Sequence, residues 1–360
     1  MQGTHRVPAW SAAAPAAGAL LIAAIWMGWD GAVFSWLAGA GLVACILAAV
    51  VHAERIAEIL GEPFGTMVLA IAITCIEVGL IITLMISGGP AAGALARDTV
   101  FATIMLIING MLGLGLLVGG IRYHEQEFKL QGASAAISTL AAISVLTLVL
   151  PNFTVTTPGP YYSTSQLAVV AVVSLVLYAT FAWVQGSLHR EHFLENDPIV
   201  QTGGAPDRSR KTLLAAGGLL VACLVCVVLL SKGLAPYVEQ GVSALGAPRA
   251  LVGIIIAAVV LMPEGFAALR AAHANRLQTS LNLALGSAIA SIGLTIPAVA
   301  LLSLATGWRL TLGLDTKSTV LLMLSLFIAA LSLGTGRTTI LQGIVHLVIL
   351  VVYIFMTIVP

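Results

Sequence analysis

Eleven apolar runs, each near the 20 residues or so that a helix needs to cross a hydrocarbon core, follow one another along this chain of 360 residues. They lie near residues 12–29, 32–52, 64–87, 99–121, 132–150, 165–185, 212–231, 248–271, 276–305, 317–334 and 338–359. The pattern predicts an all-α polytopic membrane protein of about eleven transmembrane helices. Only 9% of residues are charged and 59% are hydrophobic; soluble domains carry about a quarter charged residues, so a soluble fold is excluded. The formal charge of +1 says nothing about partners, but the absence of a basic run predicts no nucleic-acid partner; the bilayer is the predicted surroundings. The Met1–Arg6 start has too thin a basic region for a signal peptide and is read as a cytoplasmic lead-in to the first helix.

The polar punctuation sets the organisation. A short turn around Asp30-Gly31 separates the first two runs, and the longest polar stretch, Gly186–Lys211, divides the rest. The predicted parts are residues 1–30 with the first transmembrane helix, a five-helix repeat over 31–185, a cytoplasmic linker over 186–211, and a second five-helix repeat over 212–360. The repeats share a layout. Asp98 to Asn109 and Asn275 to Gly286 are both 11 residues, each pair following an intramembrane glutamate. An odd number of helices per repeat makes the copies enter the membrane in opposite senses, the inverted symmetry of secondary transporters. With the N-terminus on the cytoplasmic side, 11 of the 16 Lys and Arg residues fall on that side and 5 on the other. This satisfies the positive-inside rule and puts the C-terminus outside.

Two glutamates interrupt otherwise uncharged runs at matching places, Glu77 within AITCIEVGLI and Glu264 within VVLMPEGFAA. A carboxylate at the bilayer centre costs roughly 2.5–3.5 kcal/mol on insertion scales, so it usually marks an ion or proton pathway. Two carboxylates neutralise a divalent cation, and Ca²⁺ wants further oxygens from hydroxyls, amides, carbonyls or water. Thr74 stands one turn before Glu77 on the same face. Pro263 removes a backbone donor beside Glu264 and is predicted to break the helix, exposing carbonyls near Val259 and Val260. Asn109 lies in the following helix. Ser280, Ser287 and Ser291, spaced by seven and four, share a helix face, where they serve either as ligands or as packing contacts. The same carboxylates can hold protons, because burial disfavours their charged form and a nearby cation favours it. Competition between proton and cation amounts to antiport, with no covalent step and no cofactor. Two glutamates lean towards Ca²⁺; Na⁺ or K⁺ as the main ion is the alternative, since one carboxyl can stay protonated.

Other motifs carry less. Cys45, Cys75, Cys223 and Cys226 lie in apolar runs and are read as small buried side chains rather than redox or zinc ligands. His52-Ala-Glu54 and Glu62-Pro63 are read as solvated helix ends, with a vestibule gate as the alternative. Arg122–Glu127 and His189–His192 are read as solvated loop clusters, and Gly334–Thr339 as a turn lacking a phosphate-loop Lys. An intramembrane metalloprotease would need H-E-x-x-H, and His52-Ala-Glu54 has no second His. A passive channel differs from the antiporter reading only in lacking proton coupling.

The stretches LGEPFGTMVLAIAITCIEVGLIITLM, ARDTVFATIMLIINGMLGLGLLVGGIRYHEQEF, PEGFAALRAAHANRLQTSLNLALGSAIASIGLTIP and LGTGRTTILQGIVHLV resemble the bacterial ChaA-type calcium:proton antiporters of the calcium/cation antiporter superfamily. The resemblance covers roughly residues 50–360. It implies one helix plus two inverted sets of five, and exchange of Ca²⁺, Na⁺ or K⁺ for protons across a bacterial inner membrane. It also implies essential acidic residues at Glu77 and Glu264, with neighbouring-helix ligands near Asn109 and Ser287. In place of a Gly-Asn-x-x-Glu type motif, this chain has Thr74-Cys75-Ile76-Glu77 and Met262-Pro263-Glu264.

Overall fold

The computed structural model describes residues 8–60, 64–193, 210–244, 246, 248 and 250–359. Arg6, Glu62-Pro63, Arg208, Arg249 and most of the 186–211 linker lie outside the described residues. In chain order the helices are α1 (Ala9–Trp26), α2 (Ala32–Leu60), α3 (Phe64–Gly88), α4 (Leu95–Met105), α5 (Leu112–Tyr123), α6 (Leu130–Ser144), α7 (Thr164–Trp183), α8 (Arg210–Ala244), α9 (Ala250–His273), α10 (Leu277–Thr306), α11 (Thr316–Ser332) and α12 (Ile340–Ile358). A π-helical turn, Leu106–Met111, joins α4 to α5 without ending the rod, and further π turns extend α6 and α7. Among the described residues, nine helical stretches are long and apolar enough to cross a membrane, and Thr74–Gly88 and Thr316–Ser332 are shorter apolar helices. Nine and two make the eleven crossing segments.

The chain forms two compact units, Met1–Ser87 with Asp197–Leu245, and Gly88–Asn196 with Gly246–Pro360. In the first, α1, α2 and α8 pack on one another. Water drives no association inside a bilayer, so helices adhere by close approach and interhelical hydrogen bonds. A Cβ on Gly18 would lie 2.8 Å from Cys45 Sγ and 3.2 Å from Cys226 Cβ. The two thiols donate to the Ala14 and Pro15 carbonyls at 3.5 and 3.4 Å. Cys45, Cys223 and Cys226 are buried as expected, but Cys75 is exposed; an apolar solvent makes burial of a small apolar side chain unnecessary.

In the second unit, α10 packs against α9, α7, α6 and α4, while α12 lies along α5. A two-stranded antiparallel clip, β1 (Glu125–Glu127) with β2 (Arg337–Thr339), ties the end of α5 to the start of α12. Glu127 and Arg337 face each other across it and form an ion pair at 2.9 Å.

Three expectations change. The run read as ending near residue 52 belongs to a helix that continues to Leu60, and His52 is buried while Glu54 is exposed. A hydropathy window stops at the first charges, yet Ala-Glu-Arg-Ile-Ala-Glu-Ile-Leu is strong helix-forming sequence. α8 likewise passes through Lys232 to Ala244, despite Gly233, Pro236 and Gly241. Arg122–Glu127 is not a solvated loop, because it turns into β1 and buries Gln126.

Candidate functional site

In the first unit, Thr74 and Glu77 stand one turn apart on α3, each only 4% exposed. The carboxylate is thus held away from the surface, with a hydroxyl on the same face.

In the second unit Glu264 is 7% exposed on α9. Pro263 does not break that helix, which runs unbroken from Ala250 to His273. The helix is continuous through the proline, which leaves the Val259 carbonyl without its i+4 donor. The residue after Glu264, Gly265, faces Met111: a Cβ there would lie 3.6 Å from Met111 Cγ. Met111 closes the π turn that contains Asn109, so α9 and this turn meet beside Glu264. Such turns widen a helix by one residue and recur at functional sites.

Asn109 is fully buried, and its amide reaches across to two other helices. Nδ2 donates to Ser325 Oγ on α11 at 2.8 Å, and Oδ1 lies 3.2 Å from His346 Nδ1 on α12. The three serines of α10 separate. Ser291 is buried, Ser287 is half-buried, and Ser280 packs on α5, its Oγ 3.2 Å from where a Cβ on Gly115 would lie. Ser280, also buried, stands about 10 Å along the axis from Ser287. Asp98 is paired with Arg97 at 2.7 Å, and the same guanidinium donates to the Gly313 carbonyl at 3.0 Å.

Ser325 and His346 were not singled out by sequence. His346 carried a usable signal, a titratable ring inside the apolar run ILQGIVHLVILVV, the same kind of interruption that marks the two glutamates. Ser325, one of several serines in apolar runs, carried none. Among the described residues no group of three His, Cys, Asp or Glu side chains is arranged to hold a metal ion.

A buried carboxylate within a long apolar helical run is costly to keep and usually marks an ion or proton pathway. The family model for sodium/calcium exchanger proteins matches residues 31–186 and 215–359, and the chain belongs to that family. It is a ChaA-type member of the calcium/cation antiporter superfamily, a transporter and not an enzyme. It is 46% identical over 325 residues to the y4hA protein of Sinorhizobium fredii, named as a candidate ionic transporter, covering 90% of this chain and 88% of that one. It is 34% identical over 323 residues to the sodium-potassium/proton antiporter ChaA of Escherichia coli, covering 88% and 87%. A solved structure of native YfkE superposes with a TM-score of 0.73 at 17% identity, covering 96% of this chain and 98% of that one. At that identity the likeness carries the fold alone: an integral membrane bundle of one helix plus two inverted repeats of five.

Proposed function

We propose that this protein is a secondary antiporter that exchanges a cytoplasmic cation for protons, with Ca²⁺ as principal substrate and Glu77 and Glu264 as the carboxylates that take up cation or proton. The reading rests on one observation: among the described residues, each stretch matched by the family model contains a buried glutamate set in a long apolar run of a helix. Leaving a carboxylate charged away from water is costly, and we read each as exchanging a proton for a metal ion. Loading a cation then expels protons, and a two-state packing of the helices that both ligands stabilise carries them in opposite directions. Thr74, Asn109, Ser287 and Ser291 supply further oxygens. The two repeats are taken as 31–185 and 212–360, joined by a cytoplasmic linker. The excess of Lys and Arg on one side supports reading the N-terminus as inside and the C-terminus as outside a bacterial inner membrane. No cofactor enters the scheme.

The name of the 34% identical Escherichia coli relative favours a second reading, in which Na⁺ or K⁺ is the main ion. Everted vesicles with an imposed proton gradient separate the two. Dissipation on adding Ca²⁺, absent in Glu264→Gln, supports the first reading, and a response to Na⁺ or K⁺ alone supports the second. No response to any of the three would overturn both.

A further inference from the structure

The hydroxyl of Ser325 fixes the direction of every hydrogen bond around Asn109. Ser325 Oγ lies 2.7 Å from the Leu321 carbonyl oxygen, which can only accept, so the hydroxyl proton points there. Asn109 Nδ2, 2.8 Å from the same Oγ, is then the donor in that contact. With Nδ2 turned to Ser325, the amide oxygen faces His346 Nδ1. That oxygen has no proton, so Nδ1 carries the hydrogen, and Nε2 is left as a buried acceptor with no hydrogen-bond partner among the described residues. The helices are close enough for this because α12 presents a glycine at the crossing. A Cβ on Gly343 would lie 2.5 Å from the Leu117 backbone nitrogen and 2.9 Å from the Gly113 carbonyl oxygen. His346 stands one turn after Gly343, and Asn109 one turn before Gly113, so the close approach brings ring and amide within reach.

We infer that His346 and Ser325 are positioning residues that lock the rotation of the Asn109 amide, so that Oδ1 spends one lone pair on His346 and keeps the other for the exchanged cation. A carbonyl oxygen has two lone pairs, so the two roles are compatible. Without either partner the amide is free to turn over, presenting two N–H donors where the cation needs an oxygen. The inference rests on the reading of Asn109 as a cation ligand.

The test measures initial rates of exchange in everted vesicles against Ca²⁺, Na⁺ and K⁺ concentration. The variants are Asn109→Ala, Ser325→Ala, His346→Leu and His346→Asn, with membrane abundance and thermal unfolding in detergent measured alongside. His346→Leu and Ser325→Ala should raise the apparent KM about tenfold, the worth of one hydrogen bond, with the maximal rate per folded protein little changed. His346→Asn keeps an amide donor near the position of Nδ1 and should restore the wild-type KM. If the losses follow folded protein alone, with KM unchanged and no rescue by Asn, the pair only packs helices and the inference is overturned. If Asn109→Ala itself keeps the wild-type KM, the ligand reading of Asn109 falls and takes the inference with it.

Discussion

His52 Nε2 lies 3.1 Å from the carbonyl oxygen of Ser11, the acceptor left without its helical donor by Pro15. Proline has no N–H, so the i→i−4 bond from position 15 to position 11 cannot form, and Ser11 is fully buried. The Ser11 oxygen can only accept, which fixes the hydrogen on Nε2. A histidine of α2 thus completes the backbone of α1. Replacing His52 with Leu should lower thermal stability by about 1–3 kcal/mol, the cost of a stranded buried acceptor. His52→Gln, which keeps a donor, should lose less, and equal melting of both variants in detergent would dismiss the bond.

Gly18 makes a sharper case in the same unit. Because a Cβ there would sit 2.8 Å from Cys45 Sγ, Gly18→Ala should destabilise by about 1–3 kcal/mol through overpacking. Cys45→Ala removes the nearer obstacle, so the double variant should be more stable than the sum of the two single effects. A double-mutant cycle on unfolding in detergent reads that coupling directly; simple additivity would contradict the contact.

How far the sequence reveals this protein depends on whether its signal is local. The crossing segments were legible because length and apolarity suffice to mark them. Glu77 and Glu264 stood out because charge there is rare. The π turn around Asn109 had no such mark, since no residue pattern specifies an i→i+5 bond. Gln126 reads as one more polar residue between two glutamates until its partners, 146 and 149 positions away, are folded against it. Pro263 shows the converse: a strong local breaker inside a helix that is continuous through it.

Gln126 also yields a prediction. Its Nε2 donates to the Ala272 carbonyl at 3.3 Å and to Asn275 Oδ1 at 2.9 Å, holding the tight turn after α9, where Asn275 has a φ of 60°. Asn tolerates that left-handed conformation better than most residues. The amide is accommodated only because position 119 is glycine, where a Cβ would collide with Gln126 Oε1. Gln126→Ala should release the turn and speed amide hydrogen exchange around Ala272–Asn275; unchanged exchange there would remove the latch.

Tyr162, in the loop before α7, donates its hydroxyl to the Leu146 carbonyl. Burial raises its phenol to about 12 from an ordinary 10. A raised folded-state pKa contributes stability that is complete below pH 10 and is lost as pH rises towards 12. Tyr162→Phe should therefore reduce the steepness of alkaline unfolding over that window. An identical alkaline profile for both proteins would show that Tyr162 titrates no differently once folded.

The two glutamates give the prediction that separates the candidate substrates. Glutamine keeps the size of glutamate and removes its charge, so Glu77→Gln and Glu264→Gln should both insert and fold. Each single variant retains one carboxylate. One carboxylate is enough to neutralise Na⁺ or K⁺, whereas the proposed function has both glutamates serve Ca²⁺, and one alone leaves half of its charge unmatched. Losing one partner of a buried ionic contact costs about 3–5 kcal/mol, which is a hundredfold or more in affinity. If Ca²⁺ is the substrate and both carboxylates serve it, Ca²⁺-driven dissipation of the proton gradient should vanish in either variant at concentrations that saturate the wild type. Should Na⁺ or K⁺ exchange persist in one variant and disappear in the other, a single carboxylate carries the monovalent ion and the surviving residue identifies it. Wild-type Ca²⁺ exchange by either variant would remove that glutamate from the transport cycle altogether.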